Sequence, residues 1–129
     1  MILPCRISEL FARSRPDLFF VYGYDVAHKG AFGQAVSMVG LDNSSPVYTC
    51  WKMCKSSGYF SDSQYDEICM INKMAIDKIL MLAKKRFIIP LRKIGCGYSR
   101  MNEFAPKAFN ALNRELDIIK CPIIEWKYE

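Results

Sequence analysis

The stretch Phe19–Val36, FFVYGYDVAHKGAFGQAV, decides how the chain is read. Phe19, Phe20, Val21 and Tyr22 form an apolar, aromatic-rich run of the kind that builds a buried strand. From Gly33 onward the segment GQAVSMV has no breaker before Gly40 and reads as a helix. Between the two lie Gly23, Gly30 and Gly33, three of the chain's seven glycines. A strand that enters a helix through a glycine loop is the first half of a strand–helix–strand unit, so this junction argues for an α/β domain with a mainly parallel or mixed sheet.

The flanking sequence repeats the alternation. On the N-terminal side, Ser8 is placed to cap a short helix through Arg13, and Pro16–Asp17 turn the chain into a strand over 18–23. On the other side, the polar break 42–46 leads to a second strand over 47–52, and residues 54–63 carry turn chemistry. Asp62 or Ser63 is expected to cap a long helix over 64–85, in which Ile68, Ile71, Ala75, Ile79, Leu82 and Ala83 recur at spacings of three and four. Lys84-Lys85-Arg86 closes that helix, where cations offset the negative end of its dipole. A third strand over 87–91 is interrupted by Pro90 and stops near Leu91, and the loop Gly95-Cys96-Gly97 follows. Asn102 or Glu103 then opens a helix with Pro106 in its first turn, and a last strand is predicted over 118–125. The expected architecture is a single three-layer α/β domain over residues 1–129.

Composition narrows the function. The chain has 129 residues, of which 51% are apolar, enough for one real core. No run reaches the roughly 20 apolar residues of a bilayer span, and MILPCRISELFARSR lacks the pattern of a signal peptide, so a cytoplasmic, membrane-free protein is expected. The six cysteines are scattered through core-forming segments and are expected to be reduced thiols. Cys50 and Cys54 have a C-x-x-x-C spacing, but with one histidine in the chain, His28, no metal site is assigned. Lysine and arginine outnumber aspartate and glutamate by 18 to 13, a net charge of +5 that suits a small anionic ligand and falls short of a nucleic-acid-binding footprint.

Ligands of parallel α/β sheets bind beyond the carboxyl ends of the strands. Both glycine clusters sit there, one before each of two helices, where backbone N–H groups can meet one anion. The full G-x-G-x-x-G fingerprint and the G-x-x-x-x-G-K-[ST] phosphate loop are both absent, and no cofactor is assigned. The competing explanation is that these glycines only permit tight turns.

Three segments carry a resemblance. LFFVYGYDVAHKGAFGQA is similar to the signature FVFGDNL-x-x-K-G-x-G-G-Q-A of a family of small phage and bacterial proteins, and YFSDSQYDE and PLRKIGCGYSRMNEFAP resemble its two later blocks. The same layout is loosely similar to macro domains, in which two such loops embrace the diphosphate of ADP-ribose. The resemblance implies that Gly30, Gly33 and Gln34 match the first loop and Gly95, Cys96, Gly97 and Tyr98 the second. Gly23, Tyr24, Asp25 and Lys29 border the first loop, with Tyr24 then Asp25 where the signature has aspartate then asparagine. It further implies a nucleotide or ADP-ribose-type ligand and, for a phage-encoded chain, action in the host cytoplasm.

Two alternatives stand beside ligand binding. One is hydrolysis of an ADP-ribosyl bond, for which Asp25 is the candidate to orient a hydroxyl or polarise water; neither His28 nor Cys96 completes a nucleophile–base pair in the sequence. The other is an adaptor that holds a host protein through an aromatic patch of Tyr22, Tyr24, Phe32, Tyr59, Phe60 and Tyr65. A branched side chain at Gly33 is expected to block the ligand and spare the fold.

Overall fold

The structure, a computed structural model, describes residues 2–28, 33–52, 56–120 and 127–128. Strand β1 (Ile2–Leu3) and helix α1 (Glu9–Ser14) precede the central strand β2 (Leu18–Asp25). Helix α2 (Ala35–Met38), strand β3 (Ser44–Cys50), helix α3 (Tyr65–Ala83) and strand β4 (Phe87–Pro90) follow, then helices α4 (Met101–Phe104) and α5 (Pro106–Ile119) and strand β5 (Lys127–Tyr128). The main sheet has the order β3-β2-β4, all parallel, and β1 pairs with β5 as a separate parallel ribbon.

Alternation along β2 explains the three layers. Phe19 and Val21 enter a core with Val47, Ile88 and the inner faces of α3 and α5. Leu18, Phe20, Tyr22 and Tyr24 enter the other core, closed by α1, α2 and the ribbon residues Leu3 and Tyr128. Both faces of β2 are therefore buried, as its apolar run requires. The α/β architecture is the one the sequence implies. Among the described residues no helix is long and apolar enough to cross a membrane.

Local chemistry fixes the elements. Ser8 caps α1 by accepting from the Phe11 N–H at 3.1 Å. Asn43 donates to the carbonyls of Ala12, Arg15 and Leu18 and so ties the start of β2 to α1. Asn72 of α3 pairs with both the N–H and the carbonyl of Tyr48, covering the outer edge of β3 with hydrogen bonds. Asp62 accepts from the N–H groups of Lys107 and Ala108 and so satisfies the first turn of α5. Cys50 is buried, whereas Cys5 and Cys96 are exposed. Cys54 and Cys121 lie outside the described residues.

Several boundaries differ from the sequence reading. β3 begins at Ser44 rather than 47, because an edge strand accommodates Pro46, whose missing N–H costs no ladder bond there. The cap before α3 is Ser61, which forms a capping box with Gln64 over the short 3-10 turn Asp62–Gln64. The helix expected from Asn102 or Glu103 is two: α4 ends at Phe104, and Ala105, at φ −139°, breaks the helix before α5 starts on Pro106. The start of the predicted last strand is the end of α5, since Leu116 and Ile119 continue the helical stripe of Ala108 and Leu112 while Ile118 is 74% exposed. Residues 121–125 of that prediction lie outside the described residues.

Candidate functional site

The two glycine loops meet. Gly23, Gly33 and Gln34 from the β2–α2 side and Arg92, Lys93, Gly95, Cys96, Gly97, Tyr98 and Ser99 from the segment after β4 line one pocket of about 240 Å3, with Thr49 of β3 at its wall. β2 and β4 are neighbouring parallel strands, so the segments leaving their carboxyl ends emerge side by side.

Gln34 fastens one loop to the other. Its Oε1 accepts from the Gly23 N–H at 3.2 Å, and its Nε2 donates to the Arg92 carbonyl. The side chain assigned to ligand contact is thus also a brace whose two ends are both engaged. Gln34→Leu leaves the Gly23 N–H and the Arg92 carbonyl without that partner, at a cost of about 1–3 kcal/mol. Urea denaturation of the variant is expected to register that loss, and an unchanged midpoint would show that the brace does not hold the loops.

The second loop hangs between buried anchors. Ile94, Ser99 and Met101 are all buried, while Cys96, Gly97 and Tyr98 are exposed at its crest. Cys96 N–H bonds back to Lys93, Arg100 N–H to Gly97 and Asn102 N–H to Gly95, so the crest is a series of tight turns. Lys93 at φ 54° and Arg100 at φ 49° bracket the crest in the left-handed region, at about 1–2 kcal/mol each for a residue with a Cβ.

The glycines have different reasons to be glycine. Gly95 has φ +87°, and a Cβ there would stand 2.9 Å from Cδ1 of Phe109 on α5. Its role is to let the loop pack on that helix. Gly33 has φ +59° with open space around it. A valine there carries a backbone penalty of about 1–2 kcal/mol as well as any steric block, so Gly33→Val does not spare the fold as the sequence suggests. Gly97 is neither in the left-handed region nor within 4 Å of anything a Cβ would meet. Nothing in the described fold requires a glycine at that position. Among the described residues, the N–H groups of Gly33 and Gly97 have no hydrogen-bond acceptor.

The other assigned residues lie elsewhere. Tyr24 faces the opposite side of β2, where it stacks on His28 with ring centroids 4.9 Å apart. His28 in turn stacks on Tyr48 and lies 2.8 Å from its hydroxyl, and all three rings line a separate cavity of about 380 Å3 with Tyr22 and Lys78. Burial pushes the Tyr22 phenol up to about 12 and raises Tyr48. Asp25 is fully buried and is absent from the lining of the glycine pocket. Lys29, Gly30 and Phe32 lie outside the described residues. The aromatic residues read as a surface patch are mostly interior: Tyr22, Tyr24 and Phe60 are buried, and Tyr59 and Tyr65 are half-buried.

With the pocket in place, the match to known families can be located on it. A model for a family of unknown function, DUF7831, matches residues 3–115. The chain belongs to DUF7831. No curated protein and no solved structure matches it. The DUF7831 match takes in β2, both glycine loops and most of α5, and it ends before β5.

Four lining residues of this DUF7831 pocket are absent from the sequence assignment: Thr49, Arg92, Lys93 and Ser99. Arg92 and Lys93 stand in PLRKIGCG immediately before the second glycine cluster. A pair of cations beside a glycine loop was a readable signal for an anion site. Thr49 and Ser99 had none, since their place depends on strand pairing and loop closure.

Proposed function

We propose that the protein binds a phosphate-bearing nucleotide, ADP-ribose-like in chemistry, between its two glycine loops. In the setting that the sequence resemblance implies, it would act as a phage-encoded factor on host nucleotide signalling. One observation carries the reading: Gly97 is a glycine that the described fold does not need, on the wall of a pocket that also holds Gly33, Arg92 and Lys93 and no carboxylate. A missing side chain with no conformational or packing reason is what close approach of a ligand to backbone requires. Two N–H groups and two nearby cations match the donors that phosphate oxygens accept from.

Binding is favoured over hydrolysis. Among the described residues the lining contains neither a carboxylate nor an imidazole to act as a general base, because Asp25 and His28 lie outside it. A thermal-shift panel of ADP-ribose, NAD, ADP and cyclic nucleotides tests the proposal. A ligand at a hundredfold excess over its Kd adds about 2.7 kcal/mol, a rise of roughly 10 °C for a chain of this size. A melting temperature that no member of the panel moves would count against the reading.

A further inference from the structure

The glycine pocket does not end at Gln34. Gly33, Gln34, Arg92 and Lys93 also line a second cavity of about 390 Å3, completed by Cys5, Arg6, Ile7, Ser37, Leu91 and Tyr128. The four shared residues make the two cavities adjoining lobes of one groove. At about 240 Å3 the first lobe is smaller than the roughly 300–1,000 Å3 of small-molecule sites, whereas the two lobes together fall within that range.

The charge of the second lobe is one-signed. Arg6, Arg92 and Lys93 line it, and among the described residues neither lobe has an aspartate or glutamate in its lining. Among the described residues none of the three cations forms an ion pair, although Arg13, Arg15, Arg100 and Lys120 each do. Arg92 is aimed into this lobe: its Nη1 donates to the Cys5 Sγ at 2.9 Å, and its guanidinium lies 5.7 Å from the centre of the Tyr128 ring. Cys5 and Tyr128 belong to the second lobe alone. A thiol is a weak acceptor, and among the described residues the cavity offers this guanidinium no carboxylate.

We infer that the groove takes a nucleotide with two separated phosphate groups, one against the glycine loops and the other in the lobe of Arg6, Ser37 and Arg92. The inference rests on the nucleotide reading above and adds to it the class of ligand. A neutral sugar or base in the second lobe would leave three unpaired cations unused, whereas a phosphate there accepts charge-assisted hydrogen bonds from Arg6 and Arg92.

The test compares adenosine 5′-monophosphate with adenosine 3′,5′-bisphosphate, whose phosphates are separated by the ribose, by calorimetry on the full chain. The bisphosphate is expected to bind about tenfold more tightly, and raising the salt is expected to shrink that advantage. Arg6→Gln, at an exposed position and with its fold checked by its melting temperature, is expected to bring the ratio of the two affinities close to one. Equal affinities in the parent, or a ratio that neither Arg6→Gln nor salt changes, would overturn the inference while leaving the nucleotide site standing. If neither compound nor ADP-ribose binds the parent, the nucleotide reading fails and this inference fails with it.

Discussion

Gly97→Val is expected to weaken ADP-ribose binding by about a hundredfold or more and to leave the melting temperature within roughly 2 °C of the parent. The position is exposed, its φ is outside the left-handed region, and an added Cβ meets nothing within 4 Å. The fold therefore accepts a branched side chain there. On the proposed binding mode the pocket would not, because the branches would stand where the ligand approaches the Gly97 N–H. Calorimetry of parent and variant, with circular dichroism on both, separates the two effects. Retained affinity in a folded variant would show that no ligand comes close to Gly97.

Two residues earlier the same substitution class is expected to do the opposite. Gly95→Ala combines a left-handed backbone at φ +87° with a Cβ only 2.9 Å from the Phe109 ring. Left-handed strain and overpacking together are expected to cost roughly 2–4 kcal/mol, a fall in melting temperature of about 10 °C. Phe109→Leu in the same chain relieves the collision but not the backbone strain, so the double variant is expected to be more stable than the sum of the single losses. Strict additivity would place the damage elsewhere. Gly95 and Gly97 look alike in the sequence, yet one serves packing and the other has no packing role.

That contrast shows what was legible and what was not. The central strand, the long helix and the two glycine clusters follow from patterns within single segments, because apolar runs, helical spacing and glycine clusters are local properties, whereas the meeting of the two loops depends on the pairing of β2 with β4. The division of labour among the glycines depends on Phe109, which comes 14 residues after Gly95, and on backbone angles that no spacing encodes. Tyr24 lies outside the lining of the glycine pocket for a related reason. Adjacent residues on a strand point to opposite faces, so Tyr24 turns away from Gly23 into the second core. The last strand was expected from residue 118, but the stripe from Ala108 to Ile119 keeps helical spacing through its first residues. The second lobe of the groove joins Arg6 to Arg92 across most of the chain, and no sequence window contains both.

The most direct test of the central claim is an amide-resolved NMR titration of the parent protein with ADP-ribose. The N–H resonances of Gly33 and Gly97 are expected to move together and saturate at one equivalent, with Lys93 following and with Tyr24 and His28 unmoved. Saturable shifts centred on Tyr24 and His28, or no saturable shift at the two glycines, would contradict it.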